Sequence, residues 1–330
     1  MTALEAYMKK QSDKHVAMNE RVSPAKAMEN RVARVEYEIA FLGNYTKDSI
    51  VSAAGPRLVD GGAFNYGAQA AARMGLRVAA ITRLAREDWR VVEALAALGV
   101  DLFAEETPAS TCLRLEYPSS NPDERLIYVT SSAGSFAPEQ VAGIRARAFV
   151  LGPSFRGEVG LDVIEALVAQ GARIAADVQG WVRVVREGKL AFEAWPEARL
   201  FLAHVDVLKA DAVEAERLTG QADIHQAAQL LADLGPGEIV LTHRDGVLVL
   251  AGGQFHEAGF YPAALVGRSG RGDTCLAAYV SKRLSAPPER ATIWAAALTS
   301  LKMEAEGPFR RDVGDVEALI RRKYSPAPDR

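Results

Sequence analysis

The sequence predicts an α/β fold, a mostly parallel sheet with helices on both faces, and three observations support this class. Short apolar, β-branched segments alternate with segments of helical periodicity, which is the order that successive βαβ units produce. The 330 residues are 49% hydrophobic and 25% charged, which is ordinary for a globular chain. A chain of this length can also bury one large core.

The predicted strands are short runs rich in Val, Ile, Leu and Ala. The segments between them carry apolar residues three and four positions apart, the spacing that gives a helix one buried face. In chain order, the strands are Tyr37–Leu42, Val78–Ile81, Ala148–Leu151, Ile174–Val178, Val205–Leu208 and Ile239–Thr242. The helices are Asp88–Leu98, Leu161–Gln170, Ala212–Thr219 and Gln226–Leu234.

One segment interrupts this order. Between Leu102 and Val129 two runs alternate apolar and polar residues, and the turn-rich Pro118–Pro122 separates them. Such alternation is typical of half-exposed strands, so we expect an antiparallel ribbon that projects from the sheet. The ribbon would be a lid over a site or an oligomer contact, and an ordinary edge hairpin is the alternative.

The chain has one predicted domain, residues 35–330, because no internal repeat or low-complexity tract divides it. Residues 1–34 are polar and charged, and we expect them to form a mobile extension or a loosely docked helix. We expect the lid elements of the domain around residues 46–60 and 102–130.

Composition argues against several functions. The net charge is only −3, so no overall field favours nucleic acid or an anionic membrane. No stretch approaches the roughly 20 apolar residues that cross a bilayer. Two distant cysteines and five unpaired histidines make a disulfide framework or a zinc site improbable. We therefore expect a cytoplasmic protein that acts on a small molecule.

The most informative segment is Val266–Cys275, a glycine-rich turn that leads into a helical pattern. Such a turn presents unpaired amides and the positive end of the helix dipole, which together bind anions. Gly270 and Gly272 allow the backbone to approach a phosphate closely. Asp273, in the first helical turn, either caps the helix or accepts a hydroxyl proton during phosphoryl transfer.

Two familiar phosphate motifs do not match. No GxxxxGK[ST] motif is present, and the glycines at 267, 270 and 272 follow GxxGxG instead of GxGxxG order. A P-loop and a dinucleotide fold are therefore disfavoured. A dehydrogenase would also need a glycine-rich turn after an early strand, which residues 43–46 do not supply.

With these residues, the chain resembles the ribokinase-like, PfkB-type carbohydrate kinase family, whose signature DTxGAGD precedes a helix. Gly267–Asp273 occupies that register. The resemblance implies a three-layer α/β/α sheet with a small β-ribbon lid. It also implies an ATP-dependent kinase with Asp273 as general base and an anion hole of Gly270, Arg271 and Gly272.

Two upstream motifs resemble the substrate side of the family. Gly61–Tyr66 is similar to its GGxxxN turn, and Gly43–Asp48 is similar to the GxxxxD whose Asp binds substrate hydroxyls. A separate argument concerns Asp177, which ends a predicted strand, where open α/β sheets bind ligands. The expected substrate-binding residues are Asp48, Gly61, Gly62, Asn65, Tyr66, Asp177 and Arg183.

Two further motifs resemble the nucleotide side. Lys209–Glu214 is similar to the NxxE element near Mg²⁺, so Glu214 is expected to act on the metal indirectly, and Leu241–Gly246 is similar to a turn beside the nucleotide. The expected cofactors are ATP and Mg²⁺. The expected cofactor-binding residues are Lys209, Asp211, Glu214, Thr242, His243, Arg244, Gly246 and Arg268.

The departures from the family also carry information. Gly267 replaces an Asp that helps the family hold a monovalent cation, which makes K⁺ dependence doubtful here. Arg268 and Arg271 add positive charge beside the turn, where they would stabilise phosphoryl charge, bind an acidic substrate group or remain solvated.

We therefore expect a kinase for a hydroxyl of a small sugar, polyol or nucleoside. A non-catalytic nucleotide- or sugar-binding regulator on the same fold is the alternative. The resemblance also allows a homodimer formed through the lid.

Overall fold

A computed structural model of the chain describes residues 37–52, 55–116 and 126–324. The predicted extension at residues 1–34 and the turn at 118–122 lie outside these ranges. Residues 36–330 cluster as one unit. No helix in the described ranges is long and apolar enough to span a bilayer.

Within the described ranges, fifteen strands form two sheets. In chain order they are β1 (Tyr37–Leu42), β2 (Thr46–Ser52), β3 (Gly55–Gly61), β4 (Val78–Leu84), β5 (Asp101–Glu106), β6 (Thr111–Glu116), β7 (Leu126–Ser131), β8 (Ala146–Leu151), β9 (Arg173–Asp177), β10 (Arg183–Arg186), β11 (Lys189–Phe192), β12 (Val207–Asp211), β13 (Glu238–Thr242), β14 (Gly246–Ala251) and β15 (Gln254–Gly259).

The larger sheet has nine strands in the order β15-β14-β13-β12-β9-β8-β1-β4-β5. The strands from β13 to β5 pair in parallel, whereas β14 and β15 add an antiparallel edge. Parallel strands require crossover connections, and the helices between them provide these connections. The predicted mostly parallel sheet is therefore confirmed.

Ten α-helices in the described part of the chain accompany the strands. They are α1 (Ala63–Arg73), α2 (Arg90–Ala96), α3 (Leu161–Val168), α4 (Gln179–Val182), α5 (Ala198–Leu202), α6 (Ala212–Thr219), α7 (Ile224–Ala232), α8 (Arg271–Arg283), α9 (Pro288–Met303) and α10 (Val313–Lys323). Two short 3₁₀ turns lie at Arg86–Asp88 and Pro138–Gln140.

The sheet separates two hydrophobic cores. Along β1, Ile39 and Phe41 pack with α1, α2, α8, α9 and α10, whereas Ala40 and Leu42 pack with α3 to α7. Successive strand residues point to opposite faces, so one apolar strand serves both cores. The fold is thus the predicted three-layer α/β/α arrangement.

The second sheet has six strands in the order β10-β11-β7-β6-β2-β3. Its pairs are antiparallel except β2 with β6. The ribbon expected from Leu102 onward begins later in the chain than predicted. Leu102 lies in β5, which pairs in parallel with β4 at the edge of the larger sheet, and the second sheet resumes only at Thr111. It also includes β10 and β11, which the sequence did not predict.

Candidate active site

Three neighbouring parallel strands end at one edge of the larger sheet. Strand β9 ends at Asp177, β12 at Asp211 and β13 at Thr242, and the register pairs Lys209 with Asp177 and Asp211 with Thr242. Ligands of open α/β sheets bind at the carboxyl ends of strands. The polar ends of these strands therefore form the floor of a site.

The amino end of α8 faces this floor. Gly270 precedes the helix with φ +74°, and a Cβ at this position would collide with the ring of Tyr66. At Gly272, a Cβ would lie 2.8 Å from Nζ of Lys209. Gly270 is therefore required by its left-handed backbone and by its contact with Tyr66, whereas a side chain at 272 would displace the Lys209 ammonium.

The amides of the turn do not all have the same role. The amide of Arg271 donates to the carbonyl of Arg268 at 3.1 Å. The amides of Gly272 and Asp273 lie in the first helical turn, where intrahelical partners are lacking. The anion-binding donors of this segment are thus expected at Gly272 and Asp273 more than at Arg271.

A cavity of about 620 Å³ lies between the strand ends, α8 and the second sheet. It brings together most of the predicted catalytic and cofactor-binding residues. Those that line it are Asp177, Arg183, Lys209, Asp211, Glu214, Thr242, His243, Arg244, Arg268, Gly270, Arg271, Gly272 and Asp273. The predicted residues Asp48, Gly61, Gly62, Asn65, Tyr66 and Gly246 are outside this lining.

A buried network of charges forms the floor. Nζ of Lys209 lies 2.8 Å from Oδ2 of Asp177 and 3.8 Å from Oε2 of Glu214. Arg183 pairs with Oε1 of Glu214 at 2.9 Å. Asp211 caps α6, since its carboxylate accepts from the amide of Glu214 and its own amide donates to Glu214. This reciprocal capping box fixes Glu214 at the start of α6.

Burial and the neighbouring charges shift the pKa values of the carboxyl groups at the floor and at the start of α8. Burial raises the pKa of Asp273, although the positive charges of Lys209 and Arg183 oppose the shift. Burial also raises the pKa of Asp177 against the opposing charge of Lys209. Despite burial, Lys209 and Arg183 hold the pKa of Glu214 below its ordinary value. A carboxyl with a raised pKa inside a cationic cavity is suited to accept a proton.

The predicted substrate side lies next to α8. Asp48 is on β2, and its Oδ2 lies so close to Gly61 on β3 that a Cβ there would be 2.8 Å away. Gly62, with φ +95°, begins α1 against the carbonyl of Asn44. Glycine is required at 62 by the backbone, and a side chain at 61 would displace Thr46 or Asp48. Asp48 therefore lies beside the Gly61–Gly62 turn that begins α1.

Asn65 and Tyr66 follow this turn and are both 2% exposed. The Asn65 side chain donates to the carbonyl of Asp60 and accepts from Gln69, so it stabilises the turn. Tyr66 contacts Gly270, and in the described residues its hydroxyl has no hydrogen-bond partner. Burial, together with the charges of Asp273 and Asp48, raises the Tyr66 pKa. Tyr66 thus connects the substrate side to α8.

Directly after Thr242, the last residue of β13, His243 begins the turn to β14 and forms a wall beside the floor. The amide of His243 donates to the carbonyl of Gly246 at 2.9 Å, which explains why Gly246 supports the turn without lining the cavity. Burial lowers the pKa of His243, so it is neutral near pH 7. The charge on this wall comes from Arg244.

The residues fit a magnesium ion only through bound phosphates. No cluster of three or more His, Cys, Asp or Glu able to hold a metal exists within the described ranges. Both carboxylate oxygens of Glu214 already accept from Arg183 or from the Asp211 amide. Mg²⁺ is commonly held by substrate phosphates with one or two carboxylates. Asp211 and Glu214 are near enough to the cavity to assist such an ion, Glu214 indirectly.

Sequence reasoning missed several cavity residues. Arg217 lies on α6 three residues after Glu214, a helical spacing that could have identified it. Its guanidinium lies 4.9 Å from the ring centroid of Phe192 on β11. The four-residue strands β10 and β11 are too short to give a periodic signal, so their contribution was not predictable.

Comparisons with known proteins agree with this geometry. Residues 27–310 match the model of the pfkB family of carbohydrate kinases. The search of curated proteins found no match.

Solved structures give closer relatives. A sulfate complex of a pyrophosphate-dependent kinase in the ribokinase family is 35% identical, with a TM-score of 0.79, and the match covers 85% of this chain and 99% of the other. A complex of such a kinase with a pyrophosphate analogue and myo-inositol is 34% identical, with the same coverage and TM-score. Ribokinase from Arabidopsis thaliana, bound to ribose and ATP, is 20% identical with a TM-score of 0.70 over 86% of this chain and 99% of the other. The last similarity concerns the fold alone.

Proposed function

We propose that this chain, which belongs to the pfkB family of carbohydrate kinases, phosphorylates a cyclic polyol of the inositol class. The family makes it a phosphotransferase with a hydroxyl acceptor. We further propose inorganic pyrophosphate as its preferred phosphoryl donor. The observation that carries the donor proposal is the cationic lining of the cavity.

The donor proposal rests on charge. Six cationic side chains line the cavity, against four carboxylates: Arg183, Lys209, Arg217, Arg244, Arg268 and Arg271. Arg183 and Lys209 are paired with Glu214 and Asp177 in the floor, so most of the charge offered to a donor comes from the other four. Pyrophosphate has neither base nor ribose, so its binding energy must come from its phosphoryl oxygens. Guanidinium groups suit this purpose because they bind phosphate oxygens in pairs. The relatives at 34% and 35% identity are pyrophosphate-dependent, whereas the ATP-bound ribokinase is 20% identical.

The acceptor proposal rests on Asp48 and its surroundings. A carboxylate can accept hydrogen bonds from two neighbouring hydroxyls of a ring. The Tyr66 hydroxyl has no hydrogen-bond partner among the described residues, and the charges of Asp48 and Asp273 are near enough to raise its pKa. A polyol between these groups would present one hydroxyl to Asp273. The similar kinase with bound myo-inositol supports this acceptor class.

The proposed reaction transfers one phosphoryl group. Asp273 accepts the proton of the polyol hydroxyl as the oxygen forms a bond to the nearer phosphorus. The bond from that phosphorus to the bridging oxygen breaks, and orthophosphate leaves. The amides of Gly272 and Asp273 and the cationic walls stabilise the phosphoryl charge. Magnesium bound with the donor would neutralise part of the phosphate charge.

The test compares donors and acceptors directly. We expect the protein with Mg²⁺ and pyrophosphate to convert myo-inositol to an inositol monophosphate with equal release of orthophosphate, measured by ³¹P nuclear magnetic resonance. ATP should support a lower catalytic efficiency under the same conditions.

A catalytic efficiency with ATP that equals or exceeds that with pyrophosphate would reject pyrophosphate as the preferred donor. The assignment as a kinase would still stand. Turnover of a sugar or nucleoside in place of inositol would reject the acceptor class. Binding of donors without transfer to any acceptor would favour the non-catalytic regulator.

A further inference from the structure

Lys302 is buried inside the protein one residue before the end of α9. It is 2% exposed, and its neighbours Ser300, Leu301 and Met303 are also buried. Removing an ammonium group from water is costly unless polar groups replace the lost hydration. The position of Lys302 therefore requires specific partners.

Those partners are backbone carbonyls of the turn before α8. Nζ of Lys302 donates to the carbonyl oxygen of Gly267 at 3.0 Å and to that of Ser269. The ammonium also lies 5.4 Å from the ring centroid of Tyr66. Within the described ranges no carboxylate lies within 4 Å of Nζ, so carbonyl dipoles and a ring face take the place of a counterion.

The turn held by Lys302 is the one that presents the anion-binding amides. It runs from Gly267 to Gly270, directly before the first turn of α8 and Asp273. Gly267 cannot supply a charged group itself, because a Cβ there would collide with the carbonyl of Ala305. Its amide donates to the carbonyl of Met303, which packs the turn on the end of α9.

We propose that Lys302 is a built-in cation that holds the 267–270 turn in its anion-binding form and makes a monovalent cation unnecessary. The inference rests on the proposed function, because the turn is assigned there to the transferred phosphoryl group. Lys302 is a positioning residue, since it acts on the donor through the backbone that it binds. Its charge also adds to the positive potential beside Asp273.

The test uses two variants that separate volume from charge. Lys302→Met fills the space without charge, whereas Lys302→Ala leaves an opening lined by carbonyl oxygens, the ligands that K⁺ accepts in place of water. We expect Lys302→Met to lower kcat/KM roughly tenfold to hundredfold, as loss of a hydrogen bond from a charged group implies. Added KCl should not restore it.

Lys302→Ala should recover much of its lost activity in KCl but not in choline chloride at equal ionic strength. The wild type should be indifferent to this exchange of salts. Lys282→Met, which removes a lysine over the Trp294 ring on the same pair of helices, serves as the control and should keep wild-type activity. Full activity of Lys302→Met, or a wild type that requires K⁺, would overturn the proposal.

A second readout does not depend on turnover. The melting temperature of Lys302→Ala should rise in KCl relative to choline chloride, whereas that of the wild type and of Lys302→Met should not. If the wild type shows no transfer with any donor, the proposed function fails, but this measurement still tests Lys302. Absence of a K⁺-selective rise in Lys302→Ala would reject the built-in cation.

The pH profile separates charge from structure. Burial lowers the pKa of Lys302 to about 8, although the carboxylates of Glu306 and Asp273 oppose the shift and Arg271 adds to it. The neutral Tyr66 ring is the other group beside the ammonium. As pH rises above about 8, wild-type kcat/KM should fall because the ammonium loses its proton. Lys302→Met should lack this alkaline decrease, and retaining it would contradict the proposal.

Discussion

Two features of the environment of Asp273 act on its pKa in opposite directions. It lies in the first turn of α8, where the helix dipole favours a negative charge, yet burial raises its pKa. The raised pKa makes this carboxylate a stronger base than an ordinary Asp, as a proton acceptor requires. The positive charge of Lys209, which Asp177 and Glu214 hold in place, opposes the shift and favours the ionised form.

Asp273→Asn tests the base assignment. We expect kcat to fall by roughly 10²–10⁴-fold, because the amide cannot accept the hydroxyl proton. The wild-type kcat/KM should rise with pH through the raised pKa of Asp273, and the variant should lose this acidic limb. Turnover equal to the wild type would contradict the role of Asp273, and Asp245→Asn on the exposed turn after β13 is the matched control.

The direction in which Asp273→Asn changes the stability of the fold can also be predicted. A carboxyl whose folded pKa is raised contributes stability below its unfolded pKa and loses that contribution as pH rises through the folded pKa. At neutral pH the ionised Asp273 is thus a cost to folding. Asp273→Asn should melt no lower than the wild type at pH 7, so loss of activity cannot be ascribed to unfolding.

Single residues also show where sequence reasoning succeeds. Asp177 could be placed because it ends an apolar strand, and parallel strands end at one edge of the sheet. Thr242 was placed by the resemblance of Leu241–Gly246 to the family's turn beside the nucleotide. The place of Lys302 in the site could not be predicted, because its contact with Gly267 depends on how the end of α9 packs on the turn before α8. A lone lysine within a buried helix was the available signal, and the pattern of α9 alone does not identify its partner.

At the scale of elements, the junction between α1 and α8 links the two halves of the site. Gly270 has φ +74° and ψ 13° and lies against Tyr66. Gly220, which ends α6, has φ 73° and ψ 11° but no atom within 4 Å of a built Cβ. The two glycines therefore differ in contact and not in backbone conformation.

Gly270→Ala and Gly220→Ala form a matched pair. Each should lose about 1–2 kcal/mol of unfolding free energy from the left-handed backbone. Gly270→Ala should lose a further ~1–3 kcal/mol, because the methyl group displaces the Tyr66 ring. Chemical denaturation measures both, and only Gly270→Ala should also reduce kcat. Equal losses of unfolding free energy in the two variants would show that displacing the Tyr66 ring costs no free energy.

Elements near the sheet edge were harder to predict than the central strands. Central strands such as β1 and β13 are apolar on both faces, which gives a continuous signal in sequence. Strand β5 alternates between exposed and half-buried residues, the same pattern as a ribbon. This is why the expected ribbon began at Leu102, although pairing with β4 places that residue in the larger sheet.

At the scale of the whole molecule, the site lies between a floor of buried strand ends and a wall that the second sheet forms. The floor is made of buried strand ends, whose strands contribute to both hydrophobic cores, and the amino end of α8 faces it. The wall comes from the second sheet, where Ile127 on β7 and Leu190 and Phe192 on β11 line the cavity. Strand β7 is mostly half-buried, so it should open at lower free energy than the core strands.

We therefore expect the second sheet to act as the lid. Hydrogen exchange should slow in β6, β7 and β11 when myo-inositol and methylenediphosphonate, a pyrophosphate analogue that cannot transfer its phosphoryl group, are both bound. Closure would exclude water that otherwise accepts the phosphoryl group. The amides of β14 and β15, which lie at the far edge of the larger sheet, provide the internal control. If calorimetry shows both ligands bound while exchange in β6, β7 and β11 stays unchanged, the second sheet is a fixed wall and water must be excluded by the ligands themselves.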